Sequence, residues 1–180
     1  MIYVALFRGV NVGGHIAPMA RLKALFEALG HTSVRTYIQS GNVVFKPAKG
    51  SPDDIRKKLE KEFLKEFGFA SPVILRTPEE MQQAIKANPF LEEKGIDLSR
   101  LNVTFLAEKP SKIAVDKMRA MQCDPDRLQV VGREIYLHCP DGYGRTKLSN
   151  NALEKVCAIA ATTRNWNTVN KLHQLCLECE

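Results

Sequence analysis

Apolar residues recur along this chain in two rhythms, one of period two and one of period three to four. Ile2–Phe7 is apolar at every position, as in a strand covered on both faces. Met19, Leu22, Leu25, Phe26 and Leu29 then lie three and four apart. They predict a helix framed by Pro18 near its start and Gly30 just past its end. Val34, Thr36 and Ile38 alternate with Arg35, Tyr37 and Gln39, which predicts a strand with one wet face. Ser40-Gly41 connects it to Asn42–Phe45 as a tight hairpin. Ser51-Pro52-Asp53-Asp54 opens a second helix with an N-cap, a first-turn proline and two carboxylates at the positive end of the dipole. Its apolar stripe is Ile55, Leu59, Phe63 and Phe67, and Val73–Leu75 follows as a fourth strand. The order is βαββαβ, the split ferredoxin-like arrangement.

Thr77-Pro78-Glu79-Glu80 starts a further helix, with Thr77 and Glu80 spaced as a capping box. It stops before Pro89. The order then begins again. Asn102–Ala107 reads as a strand and Ile113–Met121 as a helix. Leu128–Val131 and Glu134–Cys139 flank Gly132-Arg133 as a hairpin. Asn150–Ala160 and Arg164–Cys179 read as helices, so the second half lacks a last strand. The expected fold class is α+β, with two ferredoxin-like βαββαβ-type repeats, the second ending in helices. The expected halves are 1–77 and 78–180. They repeat element order, and no sequence identity links them.

Composition adds few constraints. A hydrophobic fraction of 44% supports a real core. No apolar run reaches the ~20 residues of a membrane span, so no membrane partner is expected. Met1–Val4 has no basic lead-in and reads as a first strand, not a signal peptide. The 26 basic and 20 acidic residues give +6, which permits a nucleic-acid or phosphate-bearing partner without requiring one. Five cysteines, an odd number without framework spacing, suit free thiols in a reducing cytoplasm.

The stretch Arg8-Gly9-Val10-Asn11-Val12-Gly13-Gly14-His15 follows the first strand, where a phosphate loop would stand. It is not a dinucleotide loop, because the spacing is wrong and no carboxylate follows about 20 positions later. It is not a Walker loop either, and a hairpin between strands two and three contradicts a doubly wound sheet. Its glycines still let backbone N–H groups point into a concavity just ahead of a helix N-terminus. Arg8, Asn11, Gly13, Gly14 and His15 are therefore candidate anion donors, and an ordinary strand–helix connection is the alternative.

Three further stretches are rich in polar side chains. Arg35, Tyr37, Ser40 and Asn42 mark the first hairpin. Arg145, Lys147 and Asn150 precede or open one helix, and Arg164, Asn165 and Asn167 open another. Arginine forks and lysine point charges suit phosphate oxygens. Thr162, Thr163 and Asn165 also qualify as helix N-caps, and Trp166 falls on an apolar stripe that favours core packing. His173, Cys176 and Cys179 share one side of the last helix but lack a fourth ligand, so buried thiols explain them better than a metal does. No metal and no cofactor is expected. Adjacent His138 and Cys139 should point to opposite faces of a strand.

The segments FRGVNVGGH (7–15), VRTYIQSGNVVF (34–45), GRTKLSNN (144–151) and ATTRNWNTVNKL (161–172) together resemble a family of mainly bacterial proteins. That family is catalogued as domain of unknown function 1697. The resemblance spans nearly the whole chain, with Val10 where the pattern usually has Ile. It implies a small cytoplasmic α+β protein of duplicated ferredoxin-like halves. It supplies no reaction, substrate or catalytic residue.

The preferred expectation is binding of a phosphate-bearing ligand, a nucleotide or RNA, in a polar groove where the four segments converge between the halves. A small-molecule enzyme using that groove, with His15 as its acid–base residue, is the first alternative. A protein interaction module is the second. The chain is expected to be a monomer or a weak homodimer.

Overall fold

The computed structural model describes residues 1–179. The strands are β1 (Tyr3–Phe7), β2 (Thr32–Tyr37), β3 (Asn42–Lys46), β4 (Val73–Arg76), β5 (Leu101–Leu106), β6 (Arg127–Val131), β7 (Glu134–His138) and β8 (Ala161–Asn165). The helices are α1 (Met19–Ala28), α2 (Pro52–Phe67), α3 (Pro78–Lys86), α4 (Lys112–Arg119), α5 (Asn150–Cys157) and α6 (Trp166–Leu177). The chain divides into two compact units. The first is Met1–Gln82 with the residues from Lys171 onward, and the second is Gln83–Asn170.

Each unit is built on a four-stranded antiparallel sheet. The orders are β2-β3-β1-β4 and β6-β7-β5-β8, so both follow the ferredoxin-like sequence of strands. The first strand of each half, β1 or β5, lies in the interior of its sheet and is buried at every residue. In the first unit Tyr3, Ala5 and Phe7 pack with Leu22 and Phe26 of α1 and Leu59 and Phe63 of α2. Phe7 and Phe63 have ring centroids 5.0 Å apart, and Phe26 stands edge-on to Phe45 at 4.9 Å. Each buried phenylalanine stabilises the fold by ~1.5–3 kcal/mol relative to exposure. In the second unit Leu106, Ile135 and Leu137 pack with Met118 of α4 and Leu153 of α5.

The helix starts follow their local chemistry. Ser51 and Asp54 cap α2 reciprocally, and Gly68 ends it in the left-handed conformation at φ 79°. Thr77 and Glu80 exchange the same pair of bonds at α3. Ser111 and Ser149 cap α4 and α5. Among the three candidate caps before α6, Asn165 takes the role, its Oδ1 accepting the Thr168 N–H at 2.8 Å.

The second half departs from expectation in one respect. It does have a fourth strand, β8, where the sequence suggests only caps and helix. Ala161–Asn165 pairs antiparallel with β5, and Thr163 Oγ1 lies 2.7 Å from Thr104 Oγ1 across the ladder. β-branched threonines fit a pleated surface. Their hydroxyls find partners within the strand pair, so a polar segment is buried at little cost.

Candidate functional site

The polar segments singled out in the sequence meet in two pairs, one pair inside each unit. In the first unit the glycine loop meets the β2–β3 hairpin. The Asn11 Nδ2 group donates to the carbonyl of Gln39 at 2.6 Å and to that of Ala17 at 3.1 Å, while its Oδ1 accepts the Ala17 N–H at 2.8 Å. Asn11 adopts φ 58°, a conformation asparagine tolerates better than most residues. The His15 N–H closes a two-residue tip onto the Val12 carbonyl at 3.1 Å, with Gly13 and Gly14 both at positive φ. The loop is thus a small hairpin stapled by Asn11.

The remaining candidates of this unit are also held by protein groups. Ser71 Oγ donates to the Arg8 carbonyl at 2.7 Å. Asn42 Nδ2 donates to the Tyr37 carbonyl at 3.1 Å and to Ser40 Oγ at 2.9 Å, bracing the turn. Tyr37 is half-buried. Arg35 forms an exposed ion pair with Glu178 at 2.9 Å. His15 is exposed and its ring stacks on Phe69 at 4.8 Å. Among the described residues no carboxylate is hydrogen-bonded to His15.

In the second unit the 143–150 segment meets β8. Asn150 Nδ2 donates to the Ala161 carbonyl at 3.0 Å, and its Oδ1 accepts from Thr163 Oγ1 at 3.0 Å. The Asn150 N–H donates to the Tyr143 hydroxyl at 2.8 Å. Arg164 is buried and donates to Thr162 Oγ1 at 2.6 Å and to the Thr163 carbonyl at 2.9 Å. Burial pushes its guanidinium down to about 10, while Tyr143 acts weakly the other way. Asn167 is exposed in the first turn of α6.

Arg145 and Lys147 differ from these. Among the described residues neither side chain has an ion-pair or hydrogen-bond partner, and both line a cavity of about 200 Å³. Asp124, Asp126 and Asp141 line it too. The cavity stands beside the start of α5.

A second cluster in this unit forms at the end of β7, from residues that no sequence motif joins. Arg127 and His138 are register partners across the β6–β7 hairpin. Arg127 forks onto both oxygens of Glu93 at 2.9 and 2.8 Å and lies over the Phe90 ring at 5.1 Å. That bond is the main reason the Glu93 carboxyl lies below its ordinary range. The Gly132-Arg133 turn sets this register, so the pairing was readable from the hairpin.

Among the described residues no three His, Cys, Asp or Glu side chains gather as a metal site; Cys176 and Cys179 are buried. No described helix is long and apolar enough to cross a membrane.

Comparison with known proteins places these features in context. Residues 1–136 match the family described as "Protein of unknown function (DUF1697)". No curated protein matches the chain. The solved structure of the conserved bacterial protein SP0830 from Streptococcus pneumoniae is similar at 24% identity, over 98% of each chain, with a TM-score of 0.75. That likeness speaks to the fold.

Proposed function

The chain belongs to the DUF1697 family of proteins of unknown function, and from its own residues we propose that it binds a phosphate-bearing ligand, a nucleotide free or within RNA, at the Arg145–Lys147 corner of the second unit. One observation carries this reading. Arg145 and Lys147 line the same cavity and, among the described residues, lack partners, whereas Arg35 is ion-paired and Arg164 is buried against threonine oxygens. An arginine fork beside a lysine point charge suits phosphate oxygens, and the α5 N-terminus adds a weak positive potential.

The aspartates sharpen the choice of ligand. Asp124, Asp126 and Asp141 would repel a bare dianion. A ligand that brings hydrogen-bond donors along with its phosphate satisfies both halves of the lining. Ribose hydroxyls and the exocyclic amino groups of bases are such donors. Nucleotides should therefore outcompete inorganic phosphate.

Equilibrium binding of a nucleotide panel and short RNAs at low salt tests this. Arg145→Ala with Lys147→Ala should weaken the best ligand by about tenfold or more, and added salt should weaken it in the wild type. Binding weaker than about millimolar for every ligand, or binding untouched by the double substitution, defeats the reading.

A further inference from the structure

The Arg127–His138 cluster opens onto a cavity of about 490 Å³, within the range of small-molecule sites. His138 and Arg127 line it, together with Glu93, Lys94, Asp97 and Arg100. The hydrogen-bond pattern sets the chemistry of the imidazole. Arg127 Nη2 lies 3.1 Å from His138 Nδ1. A guanidinium only donates, so Nδ1 accepts and the ring proton sits on Nε2. Burial and the charge of Arg127 hold His138 below the usual imidazole range, against the opposing pull of Glu93, Asp126 and Asp97. At neutral pH it is therefore an uncharged ring with one N–H that Arg127 does not use.

The ring is a poor base in this setting. Its Nε2 already carries the proton, and the Nδ1 lone pair faces a cation. It is instead a fixed donor. The surrounding charge favours a negative partner for it. Arg127 is neutralised by Glu93, and Arg100 reaches Asp97 only at 3.7 Å. Lys94 has no partner among the described residues. One net positive charge faces the cavity.

We infer that this cavity is a second site, for an oxyanion: the His138 Nε2–H donates to a carboxylate or phosphate group while Lys94 and Arg100 supply its charge. This inference does not depend on the Arg145–Lys147 corner. It concerns different side chains and a neutral donor.

Nitrogen-15 NMR of the histidine side chains tests it on the intact protein, with inorganic phosphate and acetate as probes at constant ionic strength. The free protein should show His138 as the Nε2–H tautomer. At least one probe should move the Nε2 resonance saturably, and which one does so identifies the preferred oxyanion. Lys94→Ala with Arg100→Ala, both exposed positions, should weaken that response by about fivefold or more. His138→Gln, which keeps an N–H donor at similar reach, should retain binding when read from backbone amides lining the cavity, and His138→Phe should lose it. An Nδ1–H tautomer, no saturable shift by about 50 mM of either probe, or a response unchanged in the double variant overturns the inference.

Discussion

Replacing Asn11 with alanine separates a ligand-binding role from a scaffolding one. The Asn11 side chain makes three hydrogen bonds, to the Ala17 carbonyl and N–H and to the Gln39 carbonyl. At ~1 kcal/mol net for each, their loss costs ~2–3 kcal/mol, with the exposed one at the low end. The backbone sits at φ 58°, which adds about 1 kcal/mol for alanine. Asn11→Ala should thus destabilise the protein by ~3–4 kcal/mol. Asn11→Gly should recover ~1 kcal/mol of that, because glycine tolerates the conformation. Asn11→Asp should remain costly, since a carboxylate would face two carbonyl oxygens. Urea unfolding followed by far-ultraviolet circular dichroism measures all three, and ~3 kcal/mol corresponds to ~6–12 °C in Tm for a chain of this size. If Asn11→Ala stays within about 0.5 kcal/mol of wild type, the staple is energetically idle and the reasoning fails.

Gly41→Ala should destabilise by about 2 kcal/mol or more, since its Cβ would lie 2.8 Å from the Phe7 Cβ at φ +72°; wild-type stability in the variant would contradict the packing. His31 is buried, its Nδ1 accepts the Ala48 N–H at 2.9 Å, and burial, then Lys58, lowers its pKa from 6.5. The unfolded chain therefore binds this proton more readily, so the His31 contribution is complete above pH ~6.5 and is lost as pH falls through the folded value. The stability–pH slope below that point should be shallower in His31→Gln, His138 contributing equally to both proteins, and equal slopes would refute the assignment. Among the cysteines, exposed Cys123 should react rapidly with a thiol reagent at pH 8, whereas Cys139, buried and pushed up to about 11, should react only on unfolding. A Cys123→Ser variant that keeps the fast phase would show otherwise.

The elements most legible in the sequence were those whose signals are local. The Ser51 and Thr77 capping boxes, the fully apolar β1 and the Gly132-Arg133 turn each declare themselves within a few residues. Strand β8 was hidden because Thr162, Thr163 and Asn165 are equally good caps, and only pairing with β5 decides among their uses. The candidate site was legible as a list of polar residues and illegible as a set of roles. Asn11, Asn42 and Asn150 turn out to face backbone carbonyls of distant or neighbouring turns. An amide side chain looks the same in the sequence whether it meets a carbonyl or a ligand. Arg127 and His138 were the reverse case, modest individually and joined by strand register.

The first unit is discontinuous in the chain, taking in the residues from Lys171 onward after the whole of Gln83–Asn170. On a ribosome, its sheet and α1 and α2 emerge early, but Arg35 must wait for Glu178, and the Ser33 carbonyl for the thiol of Cys179. Those partners lie 143 and 146 residues apart, so at ~5–20 residues per second the delay is roughly 7–29 s. During translation the nascent first unit lives without its last helical segment until all of Gln83–Asn170 has been made.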